Sequence, residues 1–108
     1  MKKLKLERLN PPLLDRNISL QIGESFDVAA NLLAENVNSC RVSLHFDEIA
    51  FEEITKNPNP WKFAGPRVEQ TILWTLQGIS VVSESKVRID ALANGLPQFS
   101  VFTAEVKP

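Results

Sequence analysis

Apolar and polar positions alternate along this 108-residue chain in five short runs, each closed by Gly, Pro or Asn. The clearest run extends from Cys40 to Asp47, where apolar and polar residues take strict turns. A period of two residues directs one set of side chains into a core and the other into water. Gly, Pro and Asn supply the turns between such runs. The pattern predicts an all-β fold.

The second half of the chain repeats this pattern. The run from Val68 to Leu76 places Trp74 on the inward side, so Trp74 is predicted to lie in the core. A further strand ends just before Asn94-Gly95, a dipeptide that tolerates the positive φ angles of a type I′ turn. This turn predicts an antiparallel hairpin with a last strand at residues 99–106.

The first half is less uniform. Leu4 and Leu6 predict a short edge strand that stops at the proline pair 11–12, and a strand follows at residues 18–22. Residues 26–37 favour a strand, although the apolar positions also fit a helix that begins after Ser25. Residues 47–54 fit either a short strand or a single helical turn.

About 100 residues is the usual size of one immunoglobulin-like sandwich. The sequence therefore predicts an antiparallel, two-sheet immunoglobulin-like sandwich of about seven strands. We expect one domain over residues 1–108, in which residues 1–17 form an edge strand and a proline-rich lead-in. Residues 18–106 are expected to form the core of the sandwich.

Over roughly residues 18–106 the chain resembles bacterial immunoglobulin-like or fibronectin-III-like modules. The cysteine pair of antibody domains is absent, because Cys40 is the only cysteine. The resemblance implies a binding, spacer or assembly module within a larger protein or complex, with no catalytic residues. The segments that carry the resemblance are Gly23-Glu24-x-Phe26-x-Val28-x-Ala30-Asn31, Val42-x-Leu44-x-Phe46, Thr71-Ile72-Leu73-Trp74-Thr75-Leu76 and Val87-x-Ile89-x-Ala91.

Composition and charge disfavour several classes of function. Twelve Lys and Arg against thirteen Asp and Glu give a net charge of −1, whereas nucleic-acid binders usually carry a basic stripe. No segment is apolar enough to predict a membrane span. A single cysteine allows neither an internal disulfide nor a thiolate zinc site, and no cofactor motif is present. Met1 to Arg8 lack the apolar part of a secretion signal, so a native start at Met1 would predict a cytoplasmic protein.

The chemistry-bearing residues do not predict an enzyme. His45 is the only histidine, and Arg41, Ser43, His45 and Asp47 are expected to form the solvated face of one strand. Cys40 falls in the inward set, which predicts a buried and unreactive thiol. The acidic residues at 47–53 lack the spacing of a calcium loop, so no metal site is predicted.

The candidate interaction site is the proline-rich segment 57–66, which predicts a surface loop because proline cannot donate to a strand ladder. An aromatic anchor on a stiff loop loses little entropy on binding. The alternative is that Trp61 folds back as a lid over one end of the core. The candidate interaction residues are Pro58, Pro60, Trp61 and Phe63.

We therefore expect a non-catalytic interaction or assembly module that binds a protein partner through the Trp61 loop or by strand addition at a sheet edge. Unpaired sheet edges would also allow homo-oligomers. The alternative function is a carbohydrate- or small-ligand-binding module in which Trp61 stacks on the ligand.

Overall fold

The computed structural model describes residues 1–108 and contains nine strands in two packed sheets. Sheet A has four strands in the order β1-β3-β7-β5, and sheet B has five in the order β2-β9-β8-β4-β6. The strands are β1 (Lys3–Asn10), β2 (Asn17–Gln21), β3 (Ser25–Glu35), β4 (Ser39–His45), β5 (Phe51–Glu53), β6 (Trp61–Ala64), β7 (Arg67–Gly78), β8 (Val82–Ala93) and β9 (Leu96–Lys107).

The core lies between the two sheets and is built from the inward set of the alternating runs. Trp74 has no exposed surface, which confirms its predicted place in the core. Phe26 contacts Phe51 and Phe102 edge to face, with ring centroids 6.1 Å apart in both pairs. Edge-to-face contact is a favoured arrangement of aromatic rings. These contacts join both sheets, because β3 and β5 belong to sheet A and β9 belongs to sheet B.

Six of the seven strand pairs are antiparallel, as predicted. The hairpin between β8 and β9 is confirmed, with positive φ angles of 47° at Asn94 and 83° at Gly95. The exception is the parallel pair of β2 with β9. β2 and β9 lie at opposite ends of the chain, so no local turn signal in the sequence predicts that they pair.

The prediction of about seven strands was too low. The predicted edge strand before the proline pair is present as β1, which pairs with β3 from Lys3 to Asn10 before the chain crosses to sheet B and forms β2. A strand that was not predicted is β6, in the proline-rich segment. Residues 47–54, for which a short strand or a single helical turn was predicted, form a hydrogen-bonded turn followed by a short strand. Backbone N–H groups of Ala50 and Phe51 donate to the Asp47 carbonyl in a turn, and β5 then follows.

Residues 26–35 lie in strand β3, so the strand prediction is confirmed over the helix there, and residues 36 and 37 follow the end of the strand. Every second residue of β3 from Val28 to Ala34 is buried, and the strand pairs with β7 along its whole length. The chain forms no helix of the length and apolar character that a membrane span requires.

The proline-rich segment 57–66 is not wholly a loop, because it contains strand β6. Its backbone pairs with β4 from Val42↔Trp61 to Ser39↔Ala64. Proline at position 60 cannot donate to the ladder, and the Asn59 side chain substitutes for it. Asn59 Oδ1 accepts from the Leu44 N–H at 2.9 Å, and Asn59 Nδ2 donates to the Leu44 carbonyl at 2.8 Å.

One side of the sandwich is closed by Arg8, a charged residue that is only 4% exposed. Its Nε donates to the Pro11 carbonyl at 2.8 Å, and its Nη2 lies 3.3 Å and 3.2 Å from the carbonyls of Pro12 and Asp15. The guanidinium carbon lies 4.9 Å from the centroid of the Phe102 ring on the opposite sheet. Burial lowers the pKa of Arg8, and the nearby Asp15 carboxylate opposes this shift. Arg8 thus links β1, the crossover segment and sheet B.

We expect Cys40 to resist a thiol reagent in the folded protein. It is 3% exposed, and burial raises the pKa of its thiol, so the reactive thiolate is disfavoured. The unfolded thiol keeps its ordinary pKa of about 8.5, so a rise in pH above that value favours unfolding. Titration with a chromogenic disulfide at pH 8 should label nothing in native buffer and one thiol in denaturant. Rapid labelling of the native protein would contradict this, and a Cys40→Ala variant gives the blank.

Candidate functional site

The solvent side of sheet B carries a cluster of exposed apolar and charged side chains. We call this surface the outer face, and it is formed by every second residue of β4, β8 and β9. The register aligns Arg41 with Leu92 and Pro97, Ser43 with Asp90 and Phe99, and His45 with Arg88 and Val101. A shallow groove runs over these residues and is bordered by Pro60 at the β6 side.

The apolar part of the outer face consists of three exposed side chains. Phe99 is 61% exposed, Val101 39% and Leu92 38%. Phe99 and Val101 lie two residues apart on β9, and Leu92 lies on the neighbouring strand β8. An exposed aromatic ring next to two aliphatic side chains is costly in water and is a common feature of interaction surfaces.

A polar network holds the middle of the outer face. Arg88 Nε donates to Asp90 Oδ1 at 2.6 Å, and His45 Nε2 lies 3.1 Å from Asp90 Oδ2. The guanidinium carbon of Arg88 lies 4.5 Å from the centroid of the Phe99 ring, within the range of a cation–π contact. Asp90 and Phe99 are therefore held in place before any ligand binds.

The outer face does not hold a nucleophile paired with a base. Ser43 lies beside Asp90 in the register but forms no hydrogen bond with His45. Asp47, the acid nearest in sequence, instead accepts the Ile49 N–H at 2.9 Å and shapes a turn. A Ser-His-Asp site needs the histidine to bond the hydroxyl and the acid at once. No group of three or more His, Cys, Asp or Glu side chains is arranged to hold a metal ion.

Two cations at the margin of the outer face have no acidic partner. Arg41 on β4 and Lys62 on β6 are direct cross-strand neighbours, and both are exposed. The ion pairs of the chain involve other groups. A second shallow hollow on this face is lined by Arg41, Lys62 and Leu92 among others. The margin of the outer face is thus positively charged.

The structure divides the predicted interaction residues between two places. Pro60 borders the groove of the outer face. Trp61 and Phe63 are half-buried on the inward side of β6, packed against the core with parallel rings 6.2 Å apart. The carbonyl of Pro58 accepts the Trp74 indole N–H at 2.9 Å. A binding role for Trp61 and Phe63 stays a prediction.

Sequence reasoning missed Phe99, Leu92 and Arg88 as members of a surface cluster, although a signal was available. The inward residues of β9 are Phe102, Ala104 and Val106, so odd-numbered residues of that strand must face outward. An aromatic residue at position 99 is therefore out of phase with the core. The acidic partner of His45 could not be found in this way, because Asp90 lies on the neighbouring strand β8, and this pairing is not visible in the sequence.

No protein-family model matches the chain, and no curated protein matches it. Solved structures that are similar to it include the following three. One chain, from a structure on T cell specificity and activation by the bacterial superantigen toxic shock syndrome toxin-1, is 10% identical. The match covers 97% of this chain and 100% of that one with a TM-score of 0.52.

The second similar structure is WR4, an MSP family member of C. elegans. It is 9% identical, with 95% of this chain and 94% of that one covered and a TM-score of 0.48. The third is the ASH or PapD-like domain 7 of human CEP192, at 11% identity, 97% and 84% coverage and a TM-score of 0.49. At such identities the likeness concerns the fold alone. The chain has an immunoglobulin-like, two-sheet β-sandwich fold, and no specific family is assigned.

Proposed function

We propose that this sandwich is a non-catalytic protein-interaction module that binds its partner on the outer face of sheet B. The observation that carries the proposal is the 61% exposure of Phe99 beside Val101 and Leu92. Aromatic residues and arginine are enriched at protein interfaces, where a few of them supply most of the binding energy. The outer face presents both kinds of residue within one contact, because Arg88 covers Phe99.

Preorganisation adds to this support. Binding is weakened when long side chains must be ordered on contact. Arg88 is already held by Asp90, and Asp90 is also contacted by His45, so the centre of the outer face has little freedom left to lose. The strands that carry these residues lie in the middle of sheet B, which makes the surface rigid.

Ligand stacking on Trp61 has weaker support than partner binding on the outer face. Both Trp61 and Phe63 pack against the core, and each covers part of the other through parallel stacking. A sugar ring needs an exposed aromatic ring, whereas Trp61 is half-buried against the core. The interaction module is therefore our preferred function.

Replacing Phe99 with serine should abolish partner binding and leave the fold intact. The side chain is mostly exposed, so we expect the free energy of unfolding to change by less than about 1 kcal/mol. The matched control is Leu73→Ser, which removes an exposed apolar residue from the solvent side of sheet A. Affinity capture from a lysate of the source organism should yield a protein that wild type and Leu73→Ser retain and Phe99→Ser loses. Titration of that purified protein against the three domains should reproduce the order.

Equal capture by all three domains would contradict the outer face as the binding surface. Capture of no protein by the wild-type domain would contradict the proposed function itself. Loss of binding with both variants would indicate that a general change of surface, rather than Phe99, is responsible.

A further inference from the structure

The margin of the outer face contains an electrostatic conflict that the chain does not resolve by itself. Arg41 and Lys62 are directly opposite one another on β4 and β6. Like charges in this position destabilise a strand pair. Neither residue takes part in an ion pair of the chain. An anionic group placed between them would remove the repulsion.

The groove of the outer face offers no unpaired carboxylate that would offset this positive charge. The one carboxylate in the lining of the groove, Asp90, is occupied on both oxygens by Arg88 and His45. The whole chain carries a net charge of −1, whereas Arg41 and Lys62 form a locally positive margin. Charge complementarity across an interface selects the partner and steers its approach.

We infer that the partner presents an extended acidic segment to the outer face, with carboxylates at Arg41 and Lys62 and an apolar side chain on Leu92 and Phe99. This inference rests on the proposed function, since it names the chemistry of the partner that the same surface binds. Carboxylates fit because arginine binds them through two parallel hydrogen bonds. The apolar anchor fits because Leu92 lies next to Arg41 in the register and is itself exposed.

The register also sets the spacing between the two kinds of contact. Arg41, Leu92 and Pro97 are aligned across three strands, and Phe99 lies two residues farther along β9. Strands are about 4.8 Å apart and rise about 3.4 Å per residue, so Arg41 and Phe99 are separated by about 12 Å. An extended chain covers about 3.3 Å per residue. The carboxylate and the apolar anchor should therefore be three or four residues apart.

A nucleic acid is a poorer match for this surface. The margin offers two neighbouring cations, Arg41 and Lys62, whereas nucleic-acid binding is supported by many phosphate contacts. The chain as a whole would also repel a polyanion slightly, because its net charge is −1. The apolar patch of Phe99, Val101 and Leu92 contributes little to contact with a phosphate backbone.

The experiment is a selection from a random library of displayed linear peptides, performed on four folded domains. These are wild type, Phe99→Ser, the charge reversal Arg41→Glu with Lys62→Glu, and the matched reversal Lys3→Glu with Lys5→Glu. The matched reversal changes the net charge by the same amount as the reversal at 41 and 62, but its residues lie on the solvent side of sheet A. If the reversal at 41 and 62 unfolds the domain, Arg41→Gln with Lys62→Gln replaces it.

Wild type and the matched reversal should select peptides with Asp or Glu three or four residues from an aromatic or large aliphatic residue. The reversal at 41 and 62 should select Lys or Arg in the same place. The affinity of a wild-type-selected peptide should fall at least about tenfold on this reversal, and rising salt should weaken its binding to wild type. Phe99→Ser should not retain these peptides.

Each other result has a defined meaning. Peptides that depend on Phe99 but show no acidic preference would overturn this inference and leave the proposed function standing. Peptides that bind without dependence on Phe99, or no selected peptides, would overturn both. Acidic peptides that still bind after the reversal at 41 and 62, or tighter binding of a single-stranded oligonucleotide than of acidic peptides, would overturn the inference.

Discussion

Replacing Trp74 with alanine is expected to lower the free energy of unfolding by about 3–5 kcal/mol. The indole is fully buried on β7, and its Nε1 donates to the Pro58 carbonyl at 2.9 Å. Truncation removes its apolar contacts, leaves a cavity and deprives that carbonyl of its donor. Because a whole domain is stable by only about 5–15 kcal/mol, the loss is a large fraction. Urea unfolding followed by circular dichroism measures it without relying on tryptophan fluorescence.

Two further variants separate the causes of this loss. Trp74→Phe keeps most of the apolar volume but removes the indole N–H, so we expect a loss of about 1–2 kcal/mol. Leu73→Ala changes the neighbouring residue, which points to solvent, and should cost less than about 1 kcal/mol. Equal losses for Trp74→Ala and Leu73→Ala would show that the inward side of β7 has been assigned wrongly.

The alternation of apolar residues was sufficient to predict the sandwich and most of its inward side chains. Cys40, Val42 and Leu44 on β4 are all buried, as the pattern predicts. The tight hairpin at Asn94-Gly95 was also predictable, because its turn is local and requires positive φ angles. Both results depend on short-range rules, a period of two residues and the chemistry of one turn.

Strand β6 was not predictable from the same rules. Two prolines precede it, and each argues against a ladder. What restores the pairing is the Asn59 side chain, which lies beside β4 just before β6 and bonds both backbone groups of Leu44. A side-chain contact of this kind does not change the alternation of apolar and polar residues, so the sequence pattern does not predict it. The parallel pairing of β2 with β9 was hidden for the same reason.

The outer face, the proposed binding surface, was not predicted, and the reason is different. The predicted site was an aromatic residue in a loop, Trp61. The more exposed aromatic residue, Phe99, lies within a strand. Phe99 begins the last predicted strand, and the odd separation between Phe99 and Phe102 places their side chains on opposite sides of that strand. The alternation along this strand is therefore sufficient to predict that Phe99 faces outward. The network of Arg88, Asp90 and His45 needed the strand order of sheet B, which the sequence does not provide.

Replacing Arg8 with alanine is expected to lower the free energy of unfolding by about 2–4 kcal/mol. Its guanidinium is the common donor for the carbonyls of Pro11, Pro12 and Asp15. Removal leaves these acceptors unpaired, opens a space beside Phe102 and loosens the crossover between the sheets. Denaturant unfolding gives the size of the loss, and hydrogen exchange should show that β1 becomes less protected than β7.

The position of Arg8 explains why such a costly burial is retained. Leu4, Leu6 and Arg8 share the inward side of β1, so an apolar residue would be expected at position 8. The chain turns there from sheet A toward sheet B, and its carbonyls face inward where no strand can pair with them. Arginine presents several donors in one plane and can reach more than one carbonyl at a time.

Two variants test this explanation directly. Arg8→Lys keeps the charge but replaces a planar group with one ammonium, so it should recover only part of the stability that Arg8→Ala loses. Lys5→Ala removes an exposed cation from the same strand and should change stability by less than about 0.5 kcal/mol. If Arg8→Ala were no more harmful than Lys5→Ala, the crossover would be held by the backbone alone. A full recovery in Arg8→Lys would instead show that the positive charge matters and the geometry of the guanidinium does not.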